Sequence, residues 1–123
     1  MSFQFASCAD DIKIWDTSND IADPLSFSPH QSAVNCLRWN HNNLVLVSGG
    51  QDGFIALTHI TDGRRLGTLP AKNSKPSAPV SSIEFSSGSR YLCCAEGRNA
   101  VVWDLKRKEK SQVMGQTLKY LQY

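Results

Sequence analysis

The feature that most constrains this chain is a five-residue segment that returns at a nearly constant spacing. Ile12–Asp16 (IKIWD) recurs as Ala100–Asp104 (AVVWD), with Ile55–His59 (IALTH) between them. Counted at the fourth residue of each segment, the two steps are 43 and 45 residues. A period of roughly 20 to 50 residues indicates stacked copies of one small structural unit. The chain is therefore predicted to consist of repeats.

Each repeat contains short apolar segments separated by Gly, Asn, Ser and Asp, which favour turns. One segment places large apolar residues at offsets 0, 3 and 5, and it occurs at Val34, Leu37 and Trp39, at Val80, Ile83 and Phe85, and at Leu118, Leu121 and Tyr123. The segments at 3–7, 44–48 and 91–95 are more continuously apolar, as expected for strands covered on both faces. No long stretch keeps a helical period between capping residues. The sequence predicts an all-β protein.

The repeat length and the two Trp–Asp pairs, Trp15–Asp16 and Trp103–Asp104, resemble those of the WD-repeat (WD40) family. The resemblance covers essentially the whole chain and implies a partial β-propeller of about two and three-quarter four-stranded blades. It implies a partial blade 1 at 1–29, blade 2 at 30–70, blade 3 at 79–115 and the start of blade 4 at 117–123. Because known propellers have about four to eight blades, this propeller is expected not to be closed.

In the WD-repeat family, a buried tetrad of Asp, His, Ser or Thr, and Trp often joins the strands of a blade through hydrogen bonds. In blade 2 the resemblance assigns His30, Ser48 and Asp52 to three of these positions, but Thr58 stands at the Trp position. Blade 3 keeps Trp103, has Cys94 at the Ser position and lacks a matching His. We therefore expect no complete tetrad. The predicted structural positions are Trp15, Asp16, His30, Ser48, Asp52, Trp103 and Asp104.

Composition indicates an ordinary folded domain and does not point to nucleic acid or to a membrane. Of the 123 residues 41% are hydrophobic, and the net charge is +2. This charge is too small and too mixed to predict a nucleic-acid partner. No apolar run approaches the roughly 18 residues of a spanning helix, and the N-terminus does not resemble a signal peptide. A cytoplasmic protein is expected, with its four cysteines as buried thiols, adjacent Cys93 and Cys94 pointing to opposite strand faces.

We expect no catalytic residue, cofactor or metal ion. Asp10 and Asp11 fall in a predicted hairpin turn, where Asp commonly binds nearby backbone amides. The glycine-rich run at 49–53 is a predicted turn between the second and third strands of blade 2. It lacks the ending of a phosphate-binding loop, and no serine lies in a nucleophile elbow. The three histidines, His30, His41 and His59, do not have the spacing of zinc ligands.

Two basic groups occupy the same predicted place in successive blades, the turn that leads to the outer strand. They are Arg64 and Arg65, and Lys106, Arg107, Lys108 and Lys110. Together they are a candidate partner-binding rim that would attract an acidic protein segment. The alternative is that they are solvated turn residues that discourage pairing at a sheet edge.

A narrower resemblance concerns two short parts of the chain. The segment 5–16 and the residues Arg90, Tyr91, Leu92, Asn99 and 102–106 resemble the centrosomal WD-repeat proteins that recruit γ-tubulin ring complexes. This resemblance implies a non-enzymatic protein-interaction scaffold of centrosome, spindle pole and spindle microtubules, acting in microtubule nucleation and spindle assembly. Its partners would be the γ-tubulin ring complex or centrosomal proteins. The alternative is a WD-repeat scaffold subunit of an unrelated cytosolic or nuclear complex. Open strand edges also allow self-association.

Overall fold

The computed structural model describes residues 4–17, 23–70, 75–76, 78–107 and 109–115, with the side chains of Gln112 and Met114 excluded. Eleven strands follow one another along this part of the chain. They are β1 (Gln4–Cys8), β2 (Ile12–Asp16), β3 (Leu25–Phe27), β4 (Val34–Trp39), β5 (Val45–Gly50), β6 (Ile55–His59), β7 (Arg65–Leu69), β8 (Val80–Phe85), β9 (Tyr91–Glu96), β10 (Asn99–Asp104) and β11 (Glu109–Gly115). A single 3₁₀ turn, Ser87–Ser89, separates β8 from β9 in the described chain.

The strands form three antiparallel sheets, which we call blade 1 (β1–β3), blade 2 (β4–β7) and blade 3 (β8–β11). Within each blade the strands lie side by side in chain order. This arrangement confirms the predicted all-β, unclosed partial propeller. The predicted first strand of blade 4, with Leu118, Leu121 and Tyr123, lies outside the described residues. No helix in the described ranges is long and apolar enough to cross a membrane.

The strand registers show which residues are equivalent in the three blades. In blade 1, β1 and β2 correspond to the second and third strands of blades 2 and 3. These two strands pair at Ser7 and Lys13 in blade 1, at Ser48 and Ala56 in blade 2, and at Cys94 and Val101 in blade 3. Two residues further along the third strand are Trp15, Thr58 and Trp103, which we call the Trp position of each blade. The residues paired with the Trp position are Phe5, Leu46 and Leu92. The three blades therefore share one internal geometry.

The outer strands of blades 2 and 3 contain the same irregularity. The β6–β7 register shifts between Leu57 and Thr58, and the β10–β11 register shifts between Val102 and Trp103. Each shift skips one outer-strand residue, as a β-bulge does. As a result, Arg65 lies opposite Thr58, and Lys110 lies opposite Trp103. A basic residue thus faces the Trp position in both blades.

The apolar core lies between the blades because successive side chains of a strand point to opposite faces. Between blades 1 and 2 the buried residues are Ile12, Ile14, Val34 and Leu46. Between blades 2 and 3 they are Val47, Ile55, Leu69, Val80, Ile83, Leu92, Cys94, Val101 and Trp103. Leu46 and Val47 are adjacent on β5 and enter different clusters, so blade 2 is covered on both faces. Each large aliphatic side chain buried here contributes about 1.5–3 kcal/mol.

Gly49 lies in blade 2 against side chains of blade 3. Sequence analysis assigned Gly49 and Gly50 to a turn, but both belong to β5. A β-carbon on Gly49 would lie 2.6 Å from Val80 Cγ1, 2.7 Å from Cys36 Sγ and 2.9 Å from Ile83 Cδ1. Because these distances are shorter than normal contacts, any side chain at Gly49 would force its neighbours in blades 2 and 3 to shift.

Candidate interaction surfaces

A buried polar network joins three parts of blade 2. His30, which precedes β4, places Nδ1 3.0 Å from Asp52 Oδ1 and Nε2 2.9 Å from Ser48 Oγ. A carboxylate only accepts hydrogen bonds, so Nδ1 carries the hydrogen that is shared with Asp52. Asp52 also accepts from the backbone N–H of Gln31 at 3.2 Å and of Phe54 at 3.1 Å. The network fixes the connector, the second strand and the turn after it relative to one another.

The order Ser48, His30, Asp52 has the connectivity of a serine hydrolase triad, yet its surroundings do not suit catalysis. The triad serine attacks a carbonyl carbon, so its Oγ must be open to substrate. Ser48 is 0% exposed and His30 is 7% exposed. A buried serine between two blades cannot meet a substrate carbonyl. The arrangement therefore stabilises the fold by satisfying buried polar groups.

Blade 3 has a filled Trp position but no comparable network. Trp103 is 3% exposed, and its Nε1 is without a hydrogen-bond acceptor among the described residues. Burial raises the pKa of the Cys94 thiol to about 12, and the nearby Glu96 carboxylate adds to the rise. The Trp103 indole beside Cys94 opposes this rise in the pKa. Cys94 stands at the Ser position, as predicted from the WD-repeat resemblance, and its sulfur is a weaker acceptor than a hydroxyl oxygen.

Blade 1 contains a pair that sequence analysis missed. Trp15 Nε1 donates to Ser7 Oγ at 3.0 Å, which joins the second and third strands. Ser7 occupies the register position of Ser48 and Cys94. The strand pairing identifies the Ser7–Trp15 contact, because Ser7 is paired with the residue two places before Trp15. Sequence spacing alone does not show it, since the turns of the three blades differ in length.

The two aspartates of the Trp–Asp pairs lie in different environments. Asp104 is 6% exposed, and its Oδ1 accepts from the backbone N–H of Lys106 at 3.1 Å and of Arg107 at 3.3 Å. Arg90 Nη2 lies 3.9 Å from Asp104 Oδ2. Asp104 therefore closes the turn that carries the second basic group. Asp16 is exposed.

The basic residues are exposed but partly engaged within their own blades. Arg65 Nη2 donates to the Pro29 carbonyl at 2.9 Å. Lys110 Nζ lies 3.8 Å from Glu96 Oε2, and Arg107 Nη1 lies 3.9 Å from Glu109 Oε1. Arg64 and Lys106 are exposed, and Lys108 lies outside the described residues. Arg65 and Lys110 belong to the outer strands β7 and β11 rather than to the turns, and the shared bulge gives these two residues equivalent blade positions.

Blade 1 exposes an aromatic face that sequence analysis did not predict. Phe5 and Trp15 are stacked with ring centroids 6.2 Å apart, and they are 44% and 37% exposed. Their blade 3 equivalents, Leu92 and Trp103, are 0% and 3% exposed because blade 2 covers them. The Phe5–Trp15 face is therefore the surface on which a preceding blade would pack. It borders a cleft of about 820 Å³ that also includes Leu44.

Comparison with known proteins assigns the chain to a family. The family model "WD domain, G-beta repeat" matches residues 24–57 and 63–104, which together are more than half of the 123 residues. The chain belongs to the WD-repeat family. Each matched range begins at the outer strand of one blade and ends in or at the third strand of the next. A WD sequence repeat therefore spans the junction between two blades, which is where the buried clusters of this chain lie.

Several curated WD-repeat relatives resemble this chain over most of its length. "Protein NEDD1" of Homo sapiens is 31% identical over 87% of this chain. "Small ribosomal subunit protein RACK1" of Caenorhabditis elegans is 27% identical over 80%, and "Guanine nucleotide-binding protein subunit beta" of Arabidopsis thaliana is 28% identical over 83%. The chain spans 16%, 29% and 28% of the lengths of these relatives. The similarity to NEDD1 agrees with the narrower resemblance read from the sequence.

Proposed function

We propose that this WD-repeat chain is a non-enzymatic protein-interaction scaffold of the centrosome and spindle pole. It would take part in recruiting γ-tubulin ring complexes and thereby in microtubule nucleation and spindle assembly. The observation that carries this proposal is the similarity to NEDD1, at 30–31% identity over 87% of the chain for the human, bovine and mouse proteins. In the centrosomal WD-repeat proteins that the chain resembles, the N-terminal propeller is implicated in targeting.

The surfaces described above support a binding role. The polar network of blade 2 is buried, while the Phe5–Trp15 face exposes a contiguous aromatic surface. Exposed apolar patches in folded proteins commonly mark sites of protein–protein contact. Aromatic residues are also enriched in such interfaces. We therefore infer that targeting requires this face to pack against a further protein surface.

The experiment is expression of the fluorescently tagged chain in mitotic cells, followed by co-precipitation and an immunoblot for γ-tubulin. We expect signal at the spindle poles and recovery of γ-tubulin. The double variant Phe5→Ala with Trp15→Ala should lose most of both signals. Val113→Ala, which truncates another exposed apolar residue, is the matched control and should keep them. Diffuse signal of the unmodified chain throughout mitosis would contradict the centrosomal proposal.

We propose further that the basic rim, Arg64, Arg65, Lys106, Arg107, Lys108 and Lys110, assists the binding of an acidic partner segment. Exposed charges act mainly on association, and salt screens them within about 8 Å at physiological ionic strength. Lys106→Glu with Arg107→Glu should weaken γ-tubulin recovery and reduce its dependence on salt. Lys75→Glu, an exposed charge reversal between blades 2 and 3, is the control. Equal effects of the two sets would exclude a specific rim.

The second candidate function is a WD-repeat scaffold subunit of an unrelated cytosolic or nuclear complex. The similarities to RACK1 and to the guanine nucleotide-binding subunit beta favour it, since their identities are only slightly below that of NEDD1. Co-precipitation of ribosomal subunits in place of γ-tubulin would support this candidate. Spindle-pole signal that depends on Phe5 and Trp15 would exclude it.

A further inference from the structure

A small cleft lies at the junction of blades 1 and 2, apart from the polar network and the Phe5–Trp15 face. Its volume is about 400 Å³, and it is lined by Phe27, Ser28, Pro29, Thr58, Gly63 and Arg65. Thr58 stands at the Trp position of blade 2, where a much larger side chain is usual for the family. Thr58 is 1% exposed, and its Oγ1 has no hydrogen-bond partner among the residues that the structure describes. An unsatisfied buried hydroxyl is costly, so its presence in a cleft calls for an explanation.

Blade 3 shows what normally fills this position. There Trp103 occupies the Trp position, and Lys110 Nζ lies 5.4 Å from the centroid of its ring. The outer-strand bulge brings Lys110 opposite Trp103, and the same bulge brings Arg65 opposite Thr58. Blade 2 therefore keeps the cation of this pair and lacks the aromatic ring.

The cation of blade 2 is also held in place. Arg65 Nη2 donates to the Pro29 carbonyl at 2.9 Å, so the guanidinium is anchored beside the cleft. Phe27 and Pro29 provide apolar wall, and Arg64 adds a second exposed positive charge next to Arg65. A guanidinium near an aromatic face attracts the ring.

We propose that this cleft binds an aromatic side chain, Trp or Tyr, presented by a partner protein and flanked there by acidic residues. The ring packs between Phe27 and Pro29 and lies against Arg65, as Trp103 lies against Lys110. The acidic neighbours of the ring pair with Arg64 and Arg65. Trp and Tyr dominate the energetics of protein interfaces when they enter such pockets. The inference rests on the proposed scaffold function and names the chemistry of one partner contact.

The test uses the purified chain, ¹⁵N-labelled, and the capped peptide Gly-Asp-Trp-Asp-Gly as the probe. We expect saturable NMR shifts of the amides of Thr58, Gly63 and Arg65. Two control peptides separate the contribution of the aromatic ring from that of the carboxylates. One has Leu in place of Trp, and the other has Asn in place of both Asp residues. Each control should bind more weakly than the probe. A Leu peptide that binds as tightly as the Trp peptide would contradict an aromatic site.

Variants of the chain then test the position of the site. Thr58→Trp supplies the missing ring from within and should weaken peptide binding at least about tenfold, the loss expected when one buried contact of this kind is blocked. Thr58→Ser keeps the cleft and the hydroxyl and is the matched control. Arg65→Gln should weaken binding about threefold, in line with an exposed cation–π contact. Thermal melts and the NMR spectra of the free variants show whether each one is folded. Unchanged affinity in folded Thr58→Trp would overturn the proposal.

The outcome for this cleft is distinguishable from the outcome for the centrosomal proposal. Peptide binding in vitro without spindle-pole signal in cells would contradict the centrosomal function and support the cleft. Spindle-pole signal with no peptide binding would support the centrosomal function and contradict the cleft.

Discussion

Blades 2 and 3 have the same strand order and the same bulge but stabilise their Trp positions in opposite ways. Blade 2 has the hydrogen-bonded set of His30, Asp52 and Ser48, and it places a small Thr58 where the ring belongs. Blade 3 has the buried ring of Trp103 beneath Lys110, and it has a thiol where the acceptor belongs. The comparison shows that the polar and the apolar halves of a WD-repeat blade are separable. Either half is compatible with the same backbone register.

Trp103→Ala should have the largest effect, because it removes the apolar half from blade 3. Truncation of a buried Trp costs about 3–5 kcal/mol. Trp15→Ala is the matched control at the equivalent register position. Since Trp15 is 37% exposed, we expect a loss of about 1 kcal/mol or less. Urea denaturation measures both values, and equal losses would show that burial by the preceding blade does not distinguish the two positions.

His30→Ala should have the next largest effect, because it removes the polar half from blade 2. Ser48 Oγ and the Asp52 carboxylate would each lose a hydrogen bond, and the cost should be roughly 2 kcal/mol. Gln31→Ala, a neighbouring exposed change, should cost less than about 0.5 kcal/mol. A double-mutant cycle with Asp52→Ala measures how strongly the two residues are coupled. Additive losses would mean that the network does not act as a unit.

The Cys94 thiol should make blade 3 sensitive to alkaline pH. Burial raises its pKa from the ordinary value of 9.0 to about 12, so the folded state favours the protonated thiol. Its contribution is therefore complete below pH 9.0 and is lost as the pH rises from 9.0 towards 12. At pH 10 the loss should be about 1 kcal/mol. Unfolding free energies of the unmodified chain and of Cys94→Ala between pH 8 and pH 10 isolate this difference, which would be absent if the thiol titrated normally.

Cys94→Ser should have the smallest effect and should move blade 3 towards the geometry of blade 1. The hydroxyl would give Trp103 Nε1 an acceptor in the position that Ser7 Oγ provides for Trp15 at 3.0 Å. We expect Cys94→Ser to be about 1 kcal/mol more stable than Cys94→Ala, the value of one added hydrogen bond. Chemical denaturation compares the two variants. A less stable serine variant would show that blade 3 cannot form this contact.

The all-β repeat and several strand positions could be predicted because the repeat period and the turn-forming residues can be read directly from the sequence. The outer strand at 65–69, for example, matches β7. Exposure could not be predicted in the same way, because it depends on which blade covers a face. Phe5 lies in a continuously apolar run yet is 44% exposed. The four cysteines were expected to be buried, but Cys93 is exposed beside buried Cys94, since adjacent strand residues point in opposite directions.

The candidate sites depended on pairing between strands, which sequence spacing does not reveal. The residues His30, Ser48 and Asp52 were recognisable from the WD-repeat pattern. The cleft at Thr58 was not, although the missing Trp was evident, because a bulge of one residue decides that Arg65 faces it. The Ser7–Trp15 pair was missed for the same reason. Register, rather than residue type, was the information that the sequence did not show.

The contact at Gly49 has a consequence for the geometry of a whole ring. Blades of a propeller are wedges, and a ring closes when their angles add up to a full turn. Gly49, which has no side chain, lies against Val80 and Ile83 of blade 3 and against Cys36 of its own blade. A single methyl group at Gly49 would push blades 2 and 3 apart and change the angle between them. The packing angle between two neighbouring blades is therefore sensitive to the addition of one carbon atom at Gly49.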